Sequence, residues 1–206
     1  MGDGFNDDVV LPPNLIRLHI GDRFNKPVRS VSEYGETLDV LPKSLTDLSL
    51  GQRFNQPLDL KGTKIRCLQF ETCFNNSVVN LPDSMERLCF GHDYNQPLPK
   101  MPSGLKRLWF LGCSFNQPVD AIATCNSLIT VEFGTSFNQP IDMLSSCDGL
   151  RFMSFGSSFN QPIARLPDEI DSIRLHQGYN HPIIDSKYRM VCDMVTQDNF
   201  NQFIYK

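Results

Sequence analysis

The widest chemical range in this chain belongs to its cysteines and histidines. Cys125 and Cys147 each stand 12 residues before a Phe-Asn pair, at Phe137 and Phe159. Equivalent places in consecutive copies of a repeat come within a few ångströms when the copies stack, so a disulfide or a metal pair is one chemistry open to them. Small thiols packed as apolar groups is the reading preferred, because no ligand-rich surroundings are evident. His176 and His181 flank Gln177-Gly178-Tyr179-Asn180, but the four histidines fall in no Cys/His spacing of a zinc site, and no metal is expected. Neither G-x-S-x-G, a P-loop nor H-E-x-x-H occurs, so no catalytic residue is assigned, no cofactor is expected, and the chain reads as a non-enzyme. Asn75-Asn76-Ser77 fits the glycosylation triplet; Asn75 belongs to a repeated position expected to be buried, which makes the triplet a coincidence.

Whatever these residues do, a fold must place them. The chain has 206 residues and 23.4 kDa, which suits one domain, taken as residues 1–206. Its 19 basic and 23 acidic residues give a net charge of −4, without the positive field that holds nucleic acid or an anionic membrane. Apolar residues at 40% can build a sizeable core, and no run approaches the roughly 20 needed for a membrane span. The acidic start, Met1-Gly2-Asp3-Gly4-Phe5-Asn6-Asp7-Asp8, is unlike a secretory leader. Seven cysteines without a C-x-x-C pair fit a reducing compartment, so a cytoplasmic location is expected.

Self-comparison exposes a repeat. An aromatic-Asn pair recurs ten times, at Phe5, Phe24, Phe54, Phe74, Tyr94, Phe115, Phe137, Phe159, Tyr179 and Phe200. The steps are 19, 30, 20, 20, 21, 22, 22, 20 and 21 residues, the long one reflecting an insertion near 31–39. The core phrase is F-N-Q-P-[LVI], preceded by L-x-x-L-x-[FL]-G as in Leu45, Leu48, Leu50 and Gly51. Apolar residues two apart put their side chains on one face of a strand of about three to five residues. Gly after the strand and Pro after Asn-Gln turn the chain, the Gly through a backbone conformation that other residues resist.

One such coil cannot close a core, because roughly five apolar side chains at about 1.5 to 3 kcal/mol each offset the ordering cost only against neighbours. The expected fold is therefore a mainly β solenoid, a leucine-rich-repeat-like stack of about nine to ten coils of 19–22 residues. It carries one parallel sheet and irregular or short helical connections, with weaker end coils. Two connections, after Asp120 and Asp142, are each opened by an Asp suited to capping a short helix or 3₁₀ segment. Asn25, Asn55, Asn75, Asn95, Asn116, Asn138, Asn160 and Asn180 are expected to turn inward as a buried asparagine ladder, bonding backbone groups of their own and the adjacent coil.

The string L-x-x-L-x-F-G-x-x-F-N-Q-P-L, often preceded by Leu-Pro as at Leu41-Pro42, Leu81-Pro82 and Leu166-Pro167, resembles the FNIP repeat family over about residues 2 to 204. That resemblance implies a leucine-rich-repeat-like solenoid for protein interaction, found chiefly in amoebae and large DNA viruses and frequently behind an F-box that recruits ubiquitin ligase machinery. No F-box is visible in this sequence. The chain opens inside a coil (2–10), and its last copy is degenerate, read as a cap over about 184–206. Glu71 and His176 replace the Gly, which puts the local turn in question, and Asn76-Ser77 replaces Gln-Pro.

The informative positions are the outward ones on each strand, since the repeat's own packing does not fix them. They bring Arg87, Arg107, Trp109, Glu132 and Phe152 near the middle of one face, and Trp and Arg are enriched in binding hot spots. These five are the candidate partner-binding residues. The expectation is a non-catalytic protein-interaction module, a monomer with a protein partner, in its finer form the substrate-recognition part of an F-box-type adaptor. The alternatives are a polysaccharide-binding β-helix or a structural assembly protein. Asp47 and Glu132, the only outward strand acids, stand too far apart to share a glycan.

Overall fold

The computed structural model describes residues 2–31, 37–38, 41–112, 114–181 and 204–205. In chain order the strands are β1 (Val10–Leu11), β2 (Arg17–Ile20), β3 (Arg29–Val31), β4 (Thr37–Leu38), β5 (Asp47–Leu50), β6 (Leu58–Asp59) and β7 (Cys67–Phe70). They continue with β8 (Val78–Val79), β9 (Arg87–Phe90), β10 (Arg107–Phe110), β11 (Thr130–Glu132), β12 (Phe152–Ser154), β13 (Ser172–Arg174) and β14 (Ile204–Tyr205). The principal sheet runs β14-β13-β12-β11-β10-β9-β7-β5-β2. Its strands β2 to β13 pair in parallel, each in register with its counterpart one coil away, so Leu48 lies beside Leu68 and Leu108 beside Val131. β14 closes the end antiparallel to β13. This is a parallel-sheet β-solenoid; among the described residues that sheet holds eight parallel strands, against the nine to ten coils expected from the motif count.

Alternation explains the strands. In β5, Leu48 and Leu50 are buried while Asp47 and Ser49 face outward, half-buried. The single-sheet expectation is corrected as well: β6 and β8 form a second parallel pair, and β1, β3 and β4 a third sheet, in which β3 and β4 are antiparallel around the insertion. Most of the cap expected at 184–206 lies outside the described residues. Short 3₁₀ segments do occur at Asp120–Ile122 and Asp142–Ser146. Asp120 and Asp142 are their first residues rather than their caps, and no side-chain cap bond forms.

The core is built on two aromatic columns. The first runs Phe5, Phe24, Phe54, Phe74, Tyr94, Phe115, Phe137, Phe159, Tyr179, with successive ring centroids 5.9 to 6.2 Å apart. The second runs Phe70, Phe90, Phe110, Phe133, Phe155 at 5.4 to 5.8 Å. Within a coil, a ring of one column stacks on a ring of the other at 3.7 to 4.1 Å. The close stacking is thus inside each coil, and the coil-to-coil distance sets the rest.

Asparagine joins the coils at the edge of this core, and here the expected burial is wrong. Asn55, Asn95, Asn116, Asn138 and Asn160 are half-buried, and Asn25, Asn75 and Asn180 are exposed. Each Oδ1 accepts the backbone N–H of the next Asn, at 2.8 to 3.2 Å, from Asn6 through Asn25 to Asn180. The Gln that follows donates back to the same atom, as Gln139 Nε2 does to Asn116 Oδ1 at 3.1 Å. The departure at Asn76-Ser77 is compensated. Asn76 Nδ2 reaches Asn55 O at 3.3 Å, and Asn76 Oδ1 accepts the Ser77 N–H, which a Pro would lack, at 2.8 Å. The turns at Glu71 and His176 persist, with Glu71 N–H on Leu50 O at 3.1 Å and Tyr179 N–H on His176 O at 2.9 Å.

The repeated Gly serves close approach rather than an unusual backbone angle. Among the described glycines only Gly62 has a positive φ, +75°. A Cβ on Gly91 would run into the carbonyl of Glu71, and one on Gly134 into that of Gly112. Adjacent coils touch backbone to backbone at these points.

Candidate interaction surface

The parallel, in-register pairing converts outward strand positions into straight rows across the sheet. The first row places Arg87 beside Arg107, Arg107 beside Thr130, Thr130 beside Phe152, and Phe152 beside Ser172. The second places Cys89 beside Trp109, Trp109 beside Glu132, and Glu132 beside Ser154. All five candidate residues therefore lie on one face of the four neighbouring strands β9 to β12. Arg87, Arg107 and Phe152 are exposed, and Trp109 and Glu132 are half-buried.

Two contacts hold this face in shape. Trp109 Nε1–H donates to Glu132 Oε1 at 3.0 Å, which fixes the indole and engages the carboxylate. Arg87 Nε–H donates to the Cys67 sulfur at 3.1 Å while the residue as a whole stays exposed. The Asp47 carboxyl sits below the ordinary range, chiefly because Thr46 Oγ1–H donates to it at 2.6 Å. Burial pushes the Cys67 thiol up, and takes Cys89, the buried member of the second row, up to about 12.

A third row, one residue before the strands, is mostly ionic. Glu86 accepts from Arg66 at 2.6 Å and pairs with Lys106 at 3.4 Å, while Arg151 reaches Glu169 and Asp171 at 3.3 and 3.5 Å. In that row Ile129 stands out, 39% exposed beside Phe152 at 42%. Leu111, 63% exposed, was likewise not identified from the motif. Its N–H donates to Phe90 O, and it is itself one extra residue between Phe110 and Gly112, so it occupies the place that Gly91 has in the neighbouring coil. The signal was present as that displaced Gly.

Concavity on this face is slight. A hollow of about 60 Å³ lies between β11, β12 and β13, bordered by Thr130, Glu132, Phe152 and Arg174. Small-molecule sites are several times larger. Asp47 on β5 and Glu132 on β11 are four strand steps apart, about 19 Å at about 4.8 Å per step, too far to flank one bond.

The remaining candidates take structural places. Cys125 and Cys147 are buried free thiols, pushed up to about 12 and about 11 by burial. Their sulfurs lie against carbonyls of the preceding coil, Pro102 O at 3.7 Å and Ile122 O at 3.4 Å. His176 Nδ1 accepts the Gly178 N–H at 3.2 Å, and the His181 ring meets Tyr179 edge-on. No group of three or more His, Cys, Asp or Glu side chains able to hold a metal occurs among the described residues. No described helix is long and apolar enough to cross a membrane. Asn75 is exposed, contrary to the burial expected for it, and its Oδ1 is engaged by Asn95 and Gln96.

A surface of short in-register strands, varied in side chain and carried on a repeated scaffold, defines a repeat solenoid. The family model for the FNIP Repeat matches residues 37–63, one repeat's length, which contains β4, β5 and Phe54-Asn55-Gln56-Pro57. Over that segment the chain is similar to the FNIP repeat. A comparison with curated proteins finds no match.

Proposed function

We propose that this chain is a non-catalytic protein-interaction module that presents the outward face of β9 to β12 to a protein partner. One observation carries the reading: Arg87, Arg107, Trp109, Glu132 and Phe152, residue types suited to recognition, stand in two in-register rows on one rigid sheet. Repeat solenoids suit this use because their stacked strands offer an extended surface whose outward residues are free to vary. The shallow hollow and the separated acids favour recognition over chemistry. Free, buried thiols support work in a reducing compartment, the cytoplasm.

Within this reading, the finer form is the substrate-recognition part of an F-box-type ubiquitin ligase adaptor, supported only by the resemblance of the repeats. The test is affinity capture from cytosolic lysate with the intact chain and with an Arg107→Glu, Trp109→Ala, Phe152→Ala variant, both first shown folded by circular dichroism. A discrete protein held by the intact chain and lost by the variant is the expected result; ligase components among it would carry the finer form. An identical set of captured proteins from both baits would overturn the assignment of this face.

A further inference from the structure

Arg87 and Arg107 lie directly opposite one another on adjacent strands. Like charges in that position repel, and such a pair weakens a sheet. Arg87 is oriented by its Nε–H contact to the Cys67 sulfur. The Arg107 side chain makes no hydrogen bond or ion pair among the described residues, although Arg66, Lys106 and Arg151 nearby are all paired with carboxylates. Both guanidiniums are exposed, and the acids around them are already engaged: Glu86 by Arg66 and Lys106, Glu132 by Trp109. The two guanidinium forks therefore start from adjacent positions in the row, Arg87 leaning to Cys67 and within reach of the Asp47 charge, with no carboxylate between them. A carboxylate accepts from two such forks at once and removes the repulsion.

The same row continues through Thr130 to Phe152, exposed, with Ile129 at its flank. Strands repeat at about 4.8 Å, so the midpoint of the Arg pair and Phe152 are two and a half steps apart, about 12 Å. An extended peptide advances about 3.4 Å per residue and returns a side chain to the same face every second residue. Of the same-face spacings, about 13.6 Å for four residues fits best, and about 6.8 Å for two falls well short.

We infer that the face takes an extended acidic peptide segment lying across the strands, its Asp or Glu carboxylate bridging Arg87 and Arg107 and an apolar side chain four residues further on covering Phe152. This deepens, and rests on, the reading of the face as an interaction surface. The indole of Trp109, fixed beside the row by Glu132, is the chain's only tryptophan and so a reporter of occupancy.

The experiment titrates the full chain with a synthetic seven-residue peptide, Asp second and Phe sixth with Gly and Ser elsewhere, and follows Trp109 fluorescence. Companion peptides carry Ser or Arg for Asp, or move Phe to two residues after Asp. The expected result is saturable binding of the first peptide, about ten-fold weaker for the Asp-to-Ser peptide, as for loss of a charge-assisted contact. Arg107→Gln should weaken the first peptide by a similar factor and leave the Asp-to-Ser peptide unaffected. Added salt should weaken the acidic peptide alone.

Equal affinities for the Asp, Ser and Arg peptides, with loss in Phe152→Ala, would overturn the acidic partner while sparing the interaction face. Binding that is best with Phe two residues after Asp would overturn the crossing geometry. No peptide signal, with lysate capture still sensitive to the face variant, would overturn the acidic segment alone; no signal and insensitive capture would remove both.

Discussion

Replacing Asn116 separates the role of its side-chain oxygen from the mere presence of a polar group. Asn116 Oδ1 accepts two hydrogen bonds from the next coil, the Asn138 N–H at 2.9 Å and Gln139 Nε2–H at 3.1 Å. Asn116→Ala removes both acceptor contacts. Each is worth about 0.5 to 1.5 kcal/mol net, and the half-buried site lets water replace part of what is lost, so the expected cost is about 2 kcal/mol. Gln139 keeps its second contact, to Asn116 O at 3.1 Å, which argues against a larger figure. Asn116→Asp preserves an oxygen in the same place and strengthens both bonds by its charge, so at pH 7 it should cost under about 1 kcal/mol. The assay is urea unfolding at 25 °C followed by far-ultraviolet circular dichroism. With a slope of about 2 kcal/mol per molar, Asn116→Ala should shift the midpoint down by about 1 M, and Asn116→Asp by less than half of that. Equal shifts for the two variants would refute the acceptor role and return the Asn to a packing role.

Gly91→Ala should destabilise by about 3 kcal/mol or prevent folding, since its new Cβ would meet the Glu71 backbone, which cannot give way as a flexible side chain would. Gly178→Ala, whose Cβ would meet only His176 Nδ1 at 3.6 Å, should stay within about 0.5 kcal/mol; thermal melts of both check this. In native protein at pH 8, iodoacetamide followed by peptide mass analysis should leave Cys125 and Cys147 unlabelled until urea unfolds the chain, because burial holds both as thiols. Asp47, Asp59 and Glu86 are held below their ordinary values, chiefly by hydrogen bonds from Thr46, Asn80 and Arg66 respectively. A depressed folded value means that the stability they contribute is present above the unfolded value, about 4, and is lost as pH falls through the folded one. The melting temperature should accordingly be flat from about pH 7 to 5 and fall below about pH 4. In Asp59→Asn, which keeps an acceptor for the Lys61 N–H without titrating, that fall should be shallower.

Much of this fold could be read from the sequence because its rules are local and repeated. Leu48 and Leu50, or Leu108 and Phe110, declare a strand by their spacing, and a constant period sets the rows on which Arg107 meets Thr130 and Trp109 meets Glu132. What resisted reading depends on contacts between coils. Repetition of Asn showed that the residue matters but not that its oxygen points along the stack, at the edge of the core rather than inside it. Gly91 and Gly134 look like turn residues in a single coil; only the backbone of the coil before them reveals why a side chain is excluded. Leu111 escaped notice because it is itself the one inserted residue, at the surface, while the motif on either side still matches. On the face itself, residue types and their proximity were legible, whereas the contacts that set Trp109 and Arg87 were not, since they join residues 23 and 20 positions apart in sequence.

The claim that the outward face of β9 to β12 engages a protein partner is tested most directly by site-specific photocrosslinking in lysate. A photoreactive phenylalanine is placed at Thr130, at the centre of the first row, and in a second protein at Asp120, on the 3₁₀ segment of the connection. A single discrete adduct from Thr130, absent from Asp120 and lost when Arg107→Glu is added, is the predicted result. Equal adducts from both positions, or a discrete adduct from Asp120 alone, would contradict it.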